Sequence, residues 1–136
     1  MTVERIDHVG IAVRSIDDVL PYYRDVLGLR YVCEEEVPDQ KVRVAFLEIG
    51  ESRIELLEPT SDDSPISGFL DKRGGGMHHI AVLVENIEEA LQRHREAGSR
   101  LIDERPRNGA HGMRIAFVHP KTTAGVLLEL CQHSSD

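Results

Sequence analysis

What most restricts the fold of this chain is that its sequence repeats itself. The segment Asp7-His-Val-Gly-Ile-Ala-Val13 is echoed by His78-His-Ile-Ala-Val-Leu-Val84, which sets His8 against His79. Each copy leads into a helix signal with capping-box spacing, Ser15 with Asp18 and Asn86 with Glu89. Each predicted helix then stops near a glycine. Gly28 lies 20 residues after His8 and Gly98 lies 19 after His79, both placed to cap a helix C-terminus. Further on, Val44-Ala-Phe-Leu resembles Ile115-Ala-Phe-Val, and Glu55-Leu-Leu resembles Glu129-Leu-Cys. A chain whose landmarks all recur in order predicts a duplicated, two-half fold.

Each half reads as a strand, a helix and three strands, the last two joined by turns at Gly50-Glu-Ser and at Pro120 to Gly125. Pro21 lacks the N–H that an interior helical residue donates, so the first helix is expected to bend or to start late. Residues 59–76 are rich in Ser, Asp, Pro and Gly and read as a linker, with one short helical turn over Ile66 to Lys72. At 136 residues the halves are too small to fold apart. One domain over 1–136 is expected, with half 1 at 1–58, the linker at 59–76 and half 2 at 77–132.

Composition narrows the partners. With 24 acidic against 16 basic residues the net charge is −8, a sign that repels nucleic acid and anionic membrane. A polyanionic small ligand stays compatible if Lys72, Arg73, Arg107, Arg114 or Lys121 gather near its phosphates. No apolar run approaches the ~20 residues of a membrane span, and Met1 to Arg5 carry no signal-peptide pattern, so a cytoplasmic location is expected. Cys33 and Cys131 form no spacing motif; both are expected as thiols and small buried hydrophobes.

Strand parity then isolates four polar residues. Val9, Ile11 and Val13 share one face, a core face for the helix, while His8 shares the other with Gly10 and Ala12. In the second half His79 goes with Ala81 and Leu83, and His78 points away. Glu55 and Glu129 sit in strands that are apolar on both faces, where an ionised carboxylate costs several kcal/mol unless a charge or a metal compensates it. Separately, a core histidine bonded to a carbonyl or a glutamate reaching solvent would explain each residue. Their matching places in a repeat favour one joint explanation: two imidazoles and two carboxylates forming an N2O2 metal site open to water or substrate.

The sequence also resembles the vicinal-oxygen-chelate superfamily. The resemblance is carried by Ile6-Asp-His-Val-Gly-Ile-Ala-Val13, Ile54-Glu-Leu-Leu-Glu-Pro59, Gly109-Ala-His-Gly112 and Gly125-Val-Leu-Leu-Glu-Leu130. Asp63-Ser-Pro-Ile-Ser-Gly-Phe-Leu70, Gly75-Gly-Met-His-His-Ile80 and His119-Pro-Lys121 make it similar to the methylmalonyl-CoA epimerases within that superfamily. The resemblance implies an α+β fold of two βαβββ modules forming a cupped eight-stranded mixed sheet, an acyl-CoA substrate and a homodimer. It also implies a divalent metal on His8, Glu55, His79 and Glu129, commonly cobalt, with zinc, nickel or manganese as substitutes.

The implied reaction is epimerisation of methylmalonyl-CoA by proton removal and return at the 2-carbon. A positive charge at the carbonyl oxygen stabilises the enolate that forms. Glu129 is the expected base. Some family members carry a second glutamate where this chain has Val44. Glu48 shares that face further along the strand and is a candidate alongside a water or His111 in its glycine-flanked loop. Lactoylglutathione lyase is the nearest alternative, an isomerase of the same architecture. An extradiol dioxygenase wants two histidines and a single carboxylate, and commonly a chain about twice as long. A metal-free module that sequesters small molecules commonly lacks the ligand residues.

Overall fold

The computed structural model describes residues 3–134, so the two ends of the domain expected over 1–136 lie outside the described residues. The elements run β1 (Val3–Ala12), α1 (Ile16–Pro21), β2 (Arg30–Val37), β3 (Val42–Ile49), β4 (Ser52–Pro59), α2 (Pro65–Arg73), β5 (Gly76–Val84), α3 (Ile87–Glu96), β6 (Arg107–Asn108), β7 (Arg114–Val118) and β8 (Leu128–Gln132). The strands belong to one mixed eight-stranded sheet of order β2-β3-β4-β1-β5-β8-β7-β6. Strand, helix and three strands thus occur twice, and the fold is α+β. Residues 8–78 form one compact unit; residues 3–7 and 79–134 form another.

In residues 8–78, β1 pairs parallel with β4, and β4 and β2 pair antiparallel with β3. Ser15 caps α1 by accepting the Asp18 N–H at 3.3 Å. Ile16 and Leu20 then pack on Val13, Ala45, Leu47 and Leu56, the core face foreseen from Val13. The helix starts on time rather than late. Because Pro21 donates nothing, the next residues, Tyr22–Val26, widen into a π-helix in which Leu27 N–H bonds the Tyr22 carbonyl at 2.8 Å. Gly28, at φ +88°, ends it. On the edge strand β2, exposed Glu34 and Glu36 guard against pairing with another chain. The expected turn within the linker is a full helix, α2, capped by Ser64 and closed by left-handed Gly74, with Ile66 and Leu70 buried.

In the second unit, β5 pairs parallel with β8, and β8 pairs antiparallel with β7. Asn86 caps α3 by accepting the Glu89 N–H at 3.0 Å. Ile87, Ala90 and Leu91 pack on Val84, Ala116, Val118 and Leu130. The helix ends in a Schellman motif at Gly98: Gly98 N–H bonds Arg95 at 3.1 Å and Ser99 N–H bonds His94 at 2.9 Å.

Each helix start is also tied to the last strand of its half. Ile16 N–H donates to Glu58 Oε1 at 2.7 Å, and Ile87 N–H donates to Gln132 Oε1 at 2.7 Å. Both acceptors stand three residues beyond a candidate ligand, Glu55 or Glu129. Among the described residues no helix is long and apolar enough to cross a membrane.

The capping bond at α3 gives a stability prediction. Asn86→Ala should cost about 1 kcal/mol, read as a lower urea midpoint with an unchanged denaturant slope, while metal content stays at the wild-type level.

Candidate metal centre

The parallel register of β1 on β4 sets Gly10 beside Glu55, so His8, two residues earlier on the same face, meets that carboxylate diagonally. His8 Nδ1 lies 3.2 Å from Glu55 Oε2. The second unit repeats the device. Ala81 stands beside Glu129, and His79 Nε2 lies 3.2 Å from Glu129 Oε1. All four side chains are buried: His8 is 4%, Glu55 4%, His79 6% and Glu129 5% exposed. As expected from parity, Ile54 and Leu56 serve the α1 core on the opposite face, while Leu128 and Leu130 serve the α3 core. His78 packs edge-on against Phe69, with ring centroids 4.9 Å apart.

Each pair offers an imidazole nitrogen and a carboxylate oxygen within 4.8 Å of each other, a buried donor set able to take part in holding a metal ion. Nitrogen and oxygen donors of this kind suit cobalt, zinc, nickel or manganese. Asp7, which precedes His8 on β1, is 1% exposed and adds a carboxylate oxygen within 4.8 Å of His8.

Phenylalanines recur at matching places. Phe46 stands opposite Glu55 and Phe117 opposite Glu129, and His79 meets the Phe117 ring edge-on at 5.9 Å. Arginines lie over both rings, Arg53 at 5.7 Å from the Phe46 centroid and Arg107 at 5.3 Å from the Phe117 centroid.

The halves differ at one position with consequences for charge. Arg53 donates to Glu55 Oε2 from Nη2 at 2.9 Å and from Nε at 3.2 Å. The matching position in the second half, two residues before Glu129, is Leu127, which packs in an apolar cluster with Ala81 and Cys131. Glu55 is therefore partly neutralised by a guanidinium from its own strand.

A model of the glyoxalase/bleomycin resistance protein/dioxygenase superfamily matches residues 7–117. The chain belongs to that superfamily. Within the superfamily it is 42% identical over 132 residues to the ethylmalonyl-CoA/methylmalonyl-CoA epimerase of Cereibacter sphaeroides, covering 96% of this chain and 98% of the relative. It is similar to the solved methylmalonyl-CoA epimerase of Mycobacterium tuberculosis, with a TM-score of 0.94 at 40% identity over 98% of this chain and 90% of that one. A variant of the Streptomyces coelicolor methylmalonyl-CoA epimerase in complex with 2-nitronate-propionyl-CoA also matches, with a TM-score of 0.94 at 38% identity over 98% and 97% of the two chains.

The other residues singled out in this superfamily member are scattered. Glu48 lies opposite Arg53 on β4 and pairs with Arg30 at 3.4 Å, its side chain 43% exposed. Val44 is buried. His111 is exposed and left-handed, at φ 57°. Of the basic residues, Arg114 pairs with Glu88 at 3.2 Å and Arg73 lies over Phe69. His119 accepts the Lys121 N–H on Nδ1 at 3.0 Å, which requires a neutral ring. Burial, and then the charges of Arg100 and Lys121, lower its pKa in keeping with that role. Cys131 is buried as expected. Cys33 is only half-buried, because it sits on edge strand β2, at a bulge in the pairing with β3.

Sequence reasoning missed Arg53, whose guanidinium reaches Glu55 only because strand parity puts residues two apart on one face. It missed Glu58 and Gln132 for want of any local signal tying them to a helix start.

Arg53→Met should lower the stability of the metal-free protein by about 2 kcal/mol, the scale of a hydrogen bond to a charged group. Saturating divalent metal should recover part of that loss, measured by chemical denaturation with and without metal.

Proposed function

We propose that the chain is an isomerase that epimerises methylmalonyl-CoA, and that His8, Glu55, His79 and Glu129 together hold one divalent metal ion. The observation that carries the reading is the pair of buried imidazole–carboxylate contacts at equivalent places in the repeat, each 3.2 Å long. Two carboxylates this deeply buried call for positive charge; Arg53 brings it to Glu55, and a cation shared by the two pairs would bring it to both. Membership of the superfamily, and relatives named as epimerases of methylmalonyl-CoA, support the same conclusion. Cobalt is the proposed ion, with zinc, nickel or manganese as substitutes. Two cysteines left as thiols fit a reducing, cytoplasmic setting. The family resemblance supports a homodimer.

The chemical problem is a proton next to a thioester carbonyl, too weakly acidic to leave unaided. When bound, a divalent cation supplies positive charge that stabilises the enolate oxygen. The residues of the chain do the rest. Glu129 is the proposed base, because its strand carries Leu127 where the first half carries the guanidinium that engages Glu55. Its carboxylate takes the proton from the 2-carbon, and the C–H electrons move into the carbonyl system. Phe46, Phe117, Leu127 and the other apolar neighbours of the two pairs exclude water and strengthen every charge interaction nearby. A proton returned on the other side of the planar enolate inverts the centre.

Incubation with a single epimer in deuterium oxide tests this reading. Interconversion of the epimers with deuterium entering the 2-position is expected. Absence of exchange, together with formation of lactoylglutathione from its hemithioacetal, would make the protein a lyase of the same fold. Glu129→Gln should lower kcat at least ~100-fold with an unchanged melting transition; near-normal activity would remove Glu129 from the role.

A further inference from the structure

Phe117 offers its ring edge-on to His79, and the same ring lies under the guanidinium of Arg107. Both partners belong to residues 79–134, and strand register explains why they meet. Residues paired across neighbouring strands share a face of the sheet. One row reads Ala81, Glu129 and Phe117; the next reads Leu83, Cys131, Ile115 and, on edge strand β6, Arg107. Cys131 stands two residues from Glu129, so both rows lie on the face that carries the His79–Glu129 pair. The floor of that face is apolar: Ala81, Ile115, Phe117 and Cys131 are buried and pack in one cluster.

Arg107 is held in place at the edge of this floor. Asp103 accepts the Phe117 N–H on Oδ2 at 2.8 Å and meets Arg107 Nε through Oδ1 at 3.4 Å. Ile102 N–H donates to the Phe117 carbonyl at 2.9 Å, so the segment that carries Asp103 is bound to both polar groups of the Phe117 backbone. Gly109 lets β6 lie close on β7, since a Cβ there would stand 2.8 Å from Ile115 Cγ2. The guanidinium carbon is 5.3 Å from the Phe117 centroid, which is itself 5.9 Å from the His79 centroid. In the first half the arginine over the matching ring turns Nε and Nη2 to Glu55. Arg107 engages Asp103 through Nε, and its Nη1 and Nη2 have no hydrogen-bond or ion-pair partner among the described residues. Its side chain is 44% exposed, within reach of a ligand.

A guanidinium fixed at Nε and over a ring still presents two parallel N–H donors, the fork that matches carboxylate and phosphate oxygens. In a chain of net charge −8, an anionic ligand needs such a local cation. An acyl-CoA of the malonyl type carries oxyanions in two places: the free carboxylate on the reacting carbon, and the phosphates beyond the pantetheine arm. We propose that Arg107 is a substrate-binding residue that grips one of these oxyanions between Nη1 and Nη2. The proposal rests on the epimerase reading above.

The test measures kcat and KM on methylmalonyl-CoA and on methylmalonyl-pantetheine, which keeps the acyl group and lacks the phosphates. Wild type, Arg107→Met and Arg105→Met are compared, each metal-loaded and checked for metal content and melting temperature. Arg105 is exposed and carries the same charge two residues away, so its variant controls for general charge attraction. Arg107→Met is expected to raise KM for methylmalonyl-CoA at least ~10-fold, the scale of a lost hydrogen bond to a charged group. Its kcat should stay within about threefold of wild type, as for a contact made equally in ground and transition states, and metal and fold should be kept. An equal rise on both substrates assigns the oxyanion to the carboxylate, and a rise confined to the CoA ester assigns it to a phosphate. KM values within about twofold of wild type on both substrates overturn the proposal. So does an equal rise in Arg105→Met, and so does loss of metal or of the folded state in Arg107→Met, which marks a structural role. Wild-type protein that leaves both epimers of methylmalonyl-CoA unchanged overturns the epimerase reading and this proposal with it. An active wild type beside an unaltered Arg107→Met overturns the proposal alone.

Discussion

Two carboxylates are kept away from water in strands that are apolar on both sides, and the rest of the molecule is arranged around that cost. Glu55 is 4% and Glu129 5% exposed, and each is met by a buried imidazole. Parallel pairing makes the meeting possible. The residue beside each glutamate is small, Gly10 in one half and Ala81 in the other, so the histidine two residues earlier leans over unobstructed. A large side chain at either place would fill the space in which the imidazole and the carboxylate converge.

The helices hold this geometry in place. Their apolar faces pack on the side of the strands opposite the histidines, and their first N–H groups are bonded by Glu58 and Gln132, three residues beyond Glu55 and Glu129. A backbone donor that every helix leaves unsatisfied is thus used to fix helix against strand. Ser15 and Asn86 satisfy a further donor at each start. The π-helix after Pro21 leaves this tie undisturbed, since it begins beyond the first turn.

The two-half architecture was legible because duplication wrote it twice: His8 against His79, Glu55 against Glu129, Ser15 against Asn86. Parity then predicted which strand faces carry the donors, and the burial of all four agrees. What escaped notice depends on register, which local spacing does not reveal. The partnership of Arg53 with Glu55 is short-range, but it became visible only once both side chains were placed. Cys33 was misjudged for a related reason, since nothing in its neighbourhood marks β2 as an edge strand. Pro21 gave a correct warning of disturbance, but the remedy was a wider helical turn rather than a later start.

The halves have also diverged. Arg53 neutralises one glutamate, while Leu127 occupies the matching position beside the other, and on that difference rests the proposal that gives two formally equivalent carboxylates different work: Glu55 to hold charge, Glu129 to move a proton. All of this presumes that the two pairs share one ion. Metal stoichiometry in wild type, His8→Ala and His79→Ala measures that directly. One divalent ion per wild-type chain is expected, lost when either histidine is replaced. Two ions per chain, or one that survives loss of either histidine, would contradict a shared centre.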